Sequence, residues 1–305
     1  MYQTRFLPIP WVTMILWALF LMQFAEAQNE TNFPPIDLSD VRKIDAMQVS
    51  ELIKIDGKLD ESSWAKADRS DSFVDLITGK PTHLNTHVSV LWDEKYLFIG
   101  YQIEDPNVTA KFTKEDDPIY QDNDVEFFIA GQDAYYEFEI NAHGTVYDGL
   151  FVWQGAYETS GLSKWPQFDR TKPNVQSQVF NGVGYTKHPR GLRWAFLEWD
   201  FSAIKSAVNV QGSLNDPSDK DQGWSVEVAV PWKDLAMLDL SKPRSLPPKI
   251  GDTWRIDFSR FNQSKDPNNP KDSGGWALSP HGVWDSHIPE VFPKVILVGP
   301  TPKSR

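Results

Sequence analysis

From His87 onward, apolar residues recur at every second position. Val88, Val90 and Trp92 share one face, Asp93-Glu94-Lys95 makes a turn, and Tyr96 to Ile103 forms a second, more buried run. The spacing predicts a hairpin. Val125 to Ala130 and Tyr135 to Asn141 form a second pair joined by Gly131-Gln132-Asp133, and Asn141-Ala142-His143-Gly144 turns into a strand starting at Thr145 to Tyr147. Further strands are expected at Gly191 to Leu197, Trp224 to Val230, Thr253 to Phe261 and Lys294 to Val298. Short helices are expected after Asp60, an N-cap with Trp64 turned inward, and over Trp232 to Leu238 behind Pro231. Residues 149–178 show no clear period. Residues 28–52, polar and carrying Pro34-Pro35, read as a linker or an extended lead-in strand. Many short strands with few helices predict an all-β fold. It is expected to be an antiparallel, jelly-roll-like β-sandwich with one or two short helices, as a single domain over 53–300.

Composition narrows the setting. Arg5, the apolar run Trp11 to Met22 and the small-x-small pattern Ala25-Glu26-Ala27 predict a signal peptide over 1–27, cleaved after Ala27. Such a run falls short of the roughly 20 residues of a membrane span, and no later segment is apolar enough. A secreted or periplasmic protein is expected. With no cysteine in 305 residues, thiolate chemistry and Cys-ligated metals are excluded, and the core must hold without disulfides. A net charge of −12 without a basic stripe argues against nucleic acid and suits a neutral ligand or calcium. Several of the 13 tryptophans lie beside Gly, Pro, Asp or Asn, as sugar-stacking rings do, while Trp64, Trp92, Trp224 and Trp254 are read as core.

An ordered series of motifs then comes into view. Ile55-Asp56-Gly57-Lys58-Leu59-Asp60-Glu61 with Trp64 opens it, followed by Val90-Leu91-Trp92-Asp93-Glu94-Lys95-Tyr96-Leu97 and Asp105-Pro106. Asp122-Asn123-Asp124-Val125-Glu126-Phe127-Phe128-Ile129, Tyr136 to Asn141, Glu227 to Trp232, Gly251 to Arg255 and Ser259-Arg260 complete it. The series resembles the family 9 carbohydrate-binding modules. The resemblance implies a non-catalytic sandwich that holds an oligo- or polysaccharide between two aromatic rings. The first ring position falls on Tyr120, six residues before Glu126; the other reading is a turn aromatic shielding the sandwich end. The second falls on Trp284, with Trp276 as its rival. Glu126 and Asn141 match hydroxyl-binding positions. Where the family carries an arginine two residues before that asparagine, this chain has Glu139, and Arg255 or Arg260 would have to restore a cation. Alternation puts Glu137, Glu139 and Asn141 on one strand face, either solvated or lining a cleft.

The resemblance also implies structural calcium. Asp216, Asp219 and Asp221 concentrate oxygen ligands in one loop, and Asp116-Asp117 is a second cluster, though neither has EF-hand spacing. The competing reading is a solvated acidic loop closed by Asx-turns. Among enzyme signatures, the serine elbow, zinc helix, phosphate loop and dinucleotide fingerprint are all missing. A glycosidase using Glu126 with Glu139 stays open at this point, as does a structural or interaction role. His281 and His287 flank Trp284; they are read as exposed loop residues, the other reading being hydrogen bonding to a ligand.

Overall fold

The computed structural model describes residues 33–35 and 38–300; the signal-peptide segment 1–27 lies outside them. Its strands are β1 (Lys43–Gln48), β2 (Val74–Asp75), β3 (Thr86–Trp92), β4 (Tyr96–Glu104), β5 (Asp124–Ala130), β6 (Ala134–Asn141), β7 (Val146–Trp153), β8 (Gln178–Phe180), β9 (Arg193–Phe196), β10 (Lys205–Gln211), β11 (Gly223–Pro231), β12 (Thr253–Phe261), β13 (Gly275–Ala277) and β14 (Lys294–Val298). They hydrogen-bond in the order β10-β11-β4-β3-β1-β14-β12-β5-β6-β7-β9-β8, with β13 on β12 and β2 on β13. The path doubles back on itself. Val88, Val90, Ile99, Tyr101, Val226 and Val228 from one half pack against Val125, Phe127, Ile129, Tyr136, Phe138, Leu150 and Val152 from the other. This shared core makes the molecule a β-sandwich, as the alternation predicted, and Trp64, Trp92, Trp224 and Trp254 are buried.

Three features refine or correct the sequence reading. The lead-in segment does contribute a strand, β1, but it runs parallel to both β3 and β14 inside an otherwise antiparallel sheet. The region from 149 opens with most of β7, whose Leu150 and Val152 enter the main core while Phe151 and Trp153 enter a second one on the opposite face. A strand covered on both sides reads as a continuous apolar run, so alternation is lost. The helices expected after Asp60 and at Trp232 are 3-10 turns, Trp64–Lys66 and Trp232–Asp239, and among the described residues the α-helix is the single turn Gln154–Tyr157. Among the described residues, no helix is long and apolar enough to cross a membrane.

The opening motif, Ile55 to Trp64, forms no strand; it is a loop tied to β11. Glu227 Oε2 accepts the backbone N–H of Asp56 at 3.0 Å and of Gly57 at 2.9 Å, and Oε1 accepts the Trp64 indole N–H at 2.9 Å. Gly57 has φ +84°, and a Cβ there would lie 2.5 Å from the Val208 carbonyl carbon, so glycine is required. The motif is therefore a clamp closing one face of the sandwich.

Candidate functional site

The other outer face carries the chemistry. In the register of β12, β5, β6 and β7, Ser259 lies opposite Glu126, Glu126 opposite Glu139, and Glu139 opposite Tyr147. The next row outward on the same face is Asp257, Phe128, Glu137 and Gly149. Period-two alternation alone sets four carboxylates on one sheet surface. Part of that surface is roofed by Tyr135, Phe151, Trp153 and Phe292 in the second core. The rest opens into a cleft of about 350 Å³.

Tyr120 and Trp284 both line this cleft and are 51% and 38% exposed. Each ring has a buttress. Tyr120, on the 3-10 turn Ile119–Gln121, meets Tyr147 edge-on at 5.9 Å, and Trp284 meets Phe261 edge-on at 5.0 Å. Gly275 leaves room for the indole, since a Cβ there would come within 2.8 Å of it. The Trp284 loop is strapped to the 182–184 turn: Asp285 Oδ2 accepts the N–H groups of Val183 and Gly184, and Oδ1 that of His287. Phe180 and Val183 complete that side.

Glu126, Glu137 and Glu139 form the floor, each buried to within a few per cent. Burial pushes Glu126 up to about 8, helped by the neighbouring Asp257 charge. Burial and then the Glu126 charge raise Glu137 and Glu139 well above the carboxylate range. His281, buried and not exposed, holds Asp257 at 3.1 Å and bonds the Asp285 carbonyl at 2.7 Å. Burial lowers its pKa, but Asp257 more than offsets this and the net shift is upward. His287 is also buried, with its ring between Phe151 and Phe180, and burial drives its pKa well down. Neither lysine nor arginine lines the cleft.

The remaining site expectations need correction. Trp276 is wholly buried, donating its indole N–H to Asp272 at 2.9 Å beneath Arg260; it is core, not a cleft wall. Asn141 is also fully buried and structural: Oδ1 accepts from His143 and Thr145, and Nδ2 donates to the Phe112 carbonyl. Arg260 pairs with Asp105 at 3.3 Å, and Arg255 donates to the carbonyls of Glu290 and Phe292, so neither supplies the cleft with a cation. The calcium loop does not converge either. Asp216 caps Ser218, Asp219 accepts from Ser213 Oγ, and Asp221 takes the N–H groups of Val108 and Ser213. Among the described residues, the acidic groups whose oxygens lie within 4.8 Å of one another are instead Asp116, Asp148 and Asp200, and Asp124, Glu126 and Glu139. Glu137, which alternation left open between solvent and a cleft, lines the cleft, whereas sequence reasoning missed Tyr147 and Phe261; Tyr147 lies opposite Glu139 in the register and Phe261 packs against Trp284.

The floor can accept hydrogen bonds from several hydroxyls at once. Glu126 and Glu139 stand side by side on neighbouring strands, with carboxylate oxygens within 4.8 Å of each other. The rings offer flat apolar faces above them.

Known proteins agree with this architecture. The family model described as carbohydrate family 9 binding domain-like matches residues 55–149, bearing out the resemblance over the segment that holds Tyr120 and the acidic floor. Among solved structures, a protein of Bacteroides uniformis provisionally described as carbohydrate-binding shares the fold, at TM-score 0.52 and 14% identity over 84% of this chain and 99% of its own. A family 9 module of Caldicellulosiruptor kristjanssonii, solved with cellotriose, aligns at TM-score 0.46 and 14% identity over 87% of this chain and 97% of its own. Its glucose complex aligns at 0.45 and 14% over 87% and 99%. No curated protein matches the sequence.

Proposed function

We propose that the cleft binds a sugar ring or glycan end without transforming it. Tyr120 and Trp284 stack on the faces of the pyranose, and Glu126, Glu137 and Glu139 accept its hydroxyl hydrogens. One observation carries this reading. Tyr120 and Trp284 are the exposed aromatic rings among the described residues, and both open onto the same acid-floored cleft. Exposed rings scattered over a surface need no explanation, but two converging on one cleft do. The buried floor adds to it, because carboxylates out of water require hydrogen-bond donors, which hydroxyls provide. The family match over residues 55–149 supports the same class of ligand. The signal-peptide pattern in the sequence of residues 1–27 supports a secreted or periplasmic setting, in which this binding serves polysaccharide use. Isothermal titration of folded protein against mono- and oligosaccharides, cellobiose and xylobiose among them, tests the reading. Saturable heat with one of them is expected. Silence across the whole panel would remove it.

A further inference from the structure

We infer that Asp124, Glu126 and Glu139 bind a divalent metal ion of the calcium class at the base of the cleft. The three carboxylates present oxygens within 4.8 Å of one another, and the residues are 0%, 4% and 2% exposed. In two of the three residues one carboxylate oxygen, Asp124 Oδ2 and Glu139 Oε2, is buried without a hydrogen-bond partner. Asp124 uses its other oxygen to accept the Phe261 N–H, and Glu126 Oε2 accepts the Ser259 hydroxyl. Buried polar atoms are almost always satisfied, so two unpartnered oxygens on members of one acidic cluster point to a missing partner.

That partner is a hard cation. Glu126 and Glu139 face each other directly across β5 and β6, where like charges repel. Neither lysine nor arginine lines the cleft, and the His281 ring bonds Asp257 at 3.1 Å and not any of the three carboxylates. Calcium takes all-oxygen sets at about 2.3–2.6 Å, which spans oxygens spaced this way. An ammonium group on a bound ligand fits less well, because Asp124 is wholly buried and does not line the cleft. The second triad lacks the same signature: Asp148 Oδ2 already accepts Tyr136 Oη–H and the Phe201 N–H.

The inference shares Glu126 and Glu139 with the sugar-binding reading but is tested without sugar, so the two fail separately. Chelator-treated full-length chain is titrated at pH 7.5 with Ca²⁺, then Mg²⁺ and Mn²⁺, by calorimetry and thermal unfolding. One equivalent of Ca²⁺ and a raised Tm are expected. Asp124→Asn and Glu139→Gln should each weaken uptake at least tenfold, while Asp116→Asn leaves it unchanged. If one variant does not fold, the other decides, and the anomalous signal of a Mn²⁺-soaked wild-type crystal should peak between the three carboxylates. No uptake of any of the three ions by folded wild-type protein would show that protons balance the cluster and overturn the assignment. So would uptake that survives Glu139→Gln, or an anomalous peak elsewhere.

Discussion

Two buried glutamates on opposite faces of the sandwich make an instructive pair. Glu227 and Glu139 both point outward from central strands, and both are almost fully shielded. Glu227 has three donors from its own chain, two backbone amides and an indole. Glu139 has an oxygen with no partner and faces another carboxylate. A satisfied carboxylate at this depth fastens a loop, whereas an unsatisfied one waits for something from outside. The fold invests its own donors where it needs a clamp and withholds them where it needs a site.

The sharpest way to break the contrast is Glu227→Ala. It strands two buried donors and a part-buried one, each buried one worth about 1–3 kcal/mol. A loss of at least about 3 kcal/mol is expected in urea unfolding, with sugar heat per folded molecule unchanged. Retained stability would mean that the clamp is decorative.

The pH dependence of stability is the next largest effect. Burial raises Glu227 from an ordinary value near 4.5 to about 7, against the pull of its hydrogen bonds. The folded state thus holds this proton more tightly than the unfolded chain. Its contribution to stability falls as pH rises from about 4.5 to about 7 and is flat beyond. Glu227→Gln should lose that part of the slope. A variant with the wild-type slope would assign the titration to other groups.

The opposite sign is expected at the cleft floor. In chelator at pH 8, Glu139→Gln removes one of two facing acids and should stabilise the protein by about 1 kcal/mol. Destabilisation would show that Glu139 is already satisfied.

Smallest in stability is Tyr120→Ala. The ring is half exposed, so thermal unfolding should change by about 0.5–1 kcal/mol. Sugar affinity should nevertheless fall at least tenfold. Equal losses in both would make Tyr120 a cover for the sheet end.

The β-sandwich, its main hairpins and the core tryptophans were legible because half-buried strands alternate. Strand β1 was legible only as one of two readings of its segment, since Lys43–Gln48 sits in a polar, proline-containing stretch and gains its core role from its neighbours. Tyr120, Trp284, Glu126 and Glu139 could be named from motif order, but their convergence depends on strand register and on a loop more than a hundred residues away. Trp276 and Asn141 misled for local reasons. Trp276 lies in Gly275-Trp276-Ala277-Leu278, a run that enters the core through β13. Asn141 begins a turn in which its side chain replaces backbone partners. Partnering in space separates a site residue from a structural one, and sequence spacing does not encode it.

Crystals soaked with the oligosaccharide that gives heat offer the most direct test. Density for a sugar ring between Tyr120 and Trp284, with hydroxyls within hydrogen-bonding reach of Glu126, Glu137 or Glu139, is the expected result. Density confined to the larger groove of about 800 Å³ on the opposite face, beside Arg69 and Gln102, would contradict it.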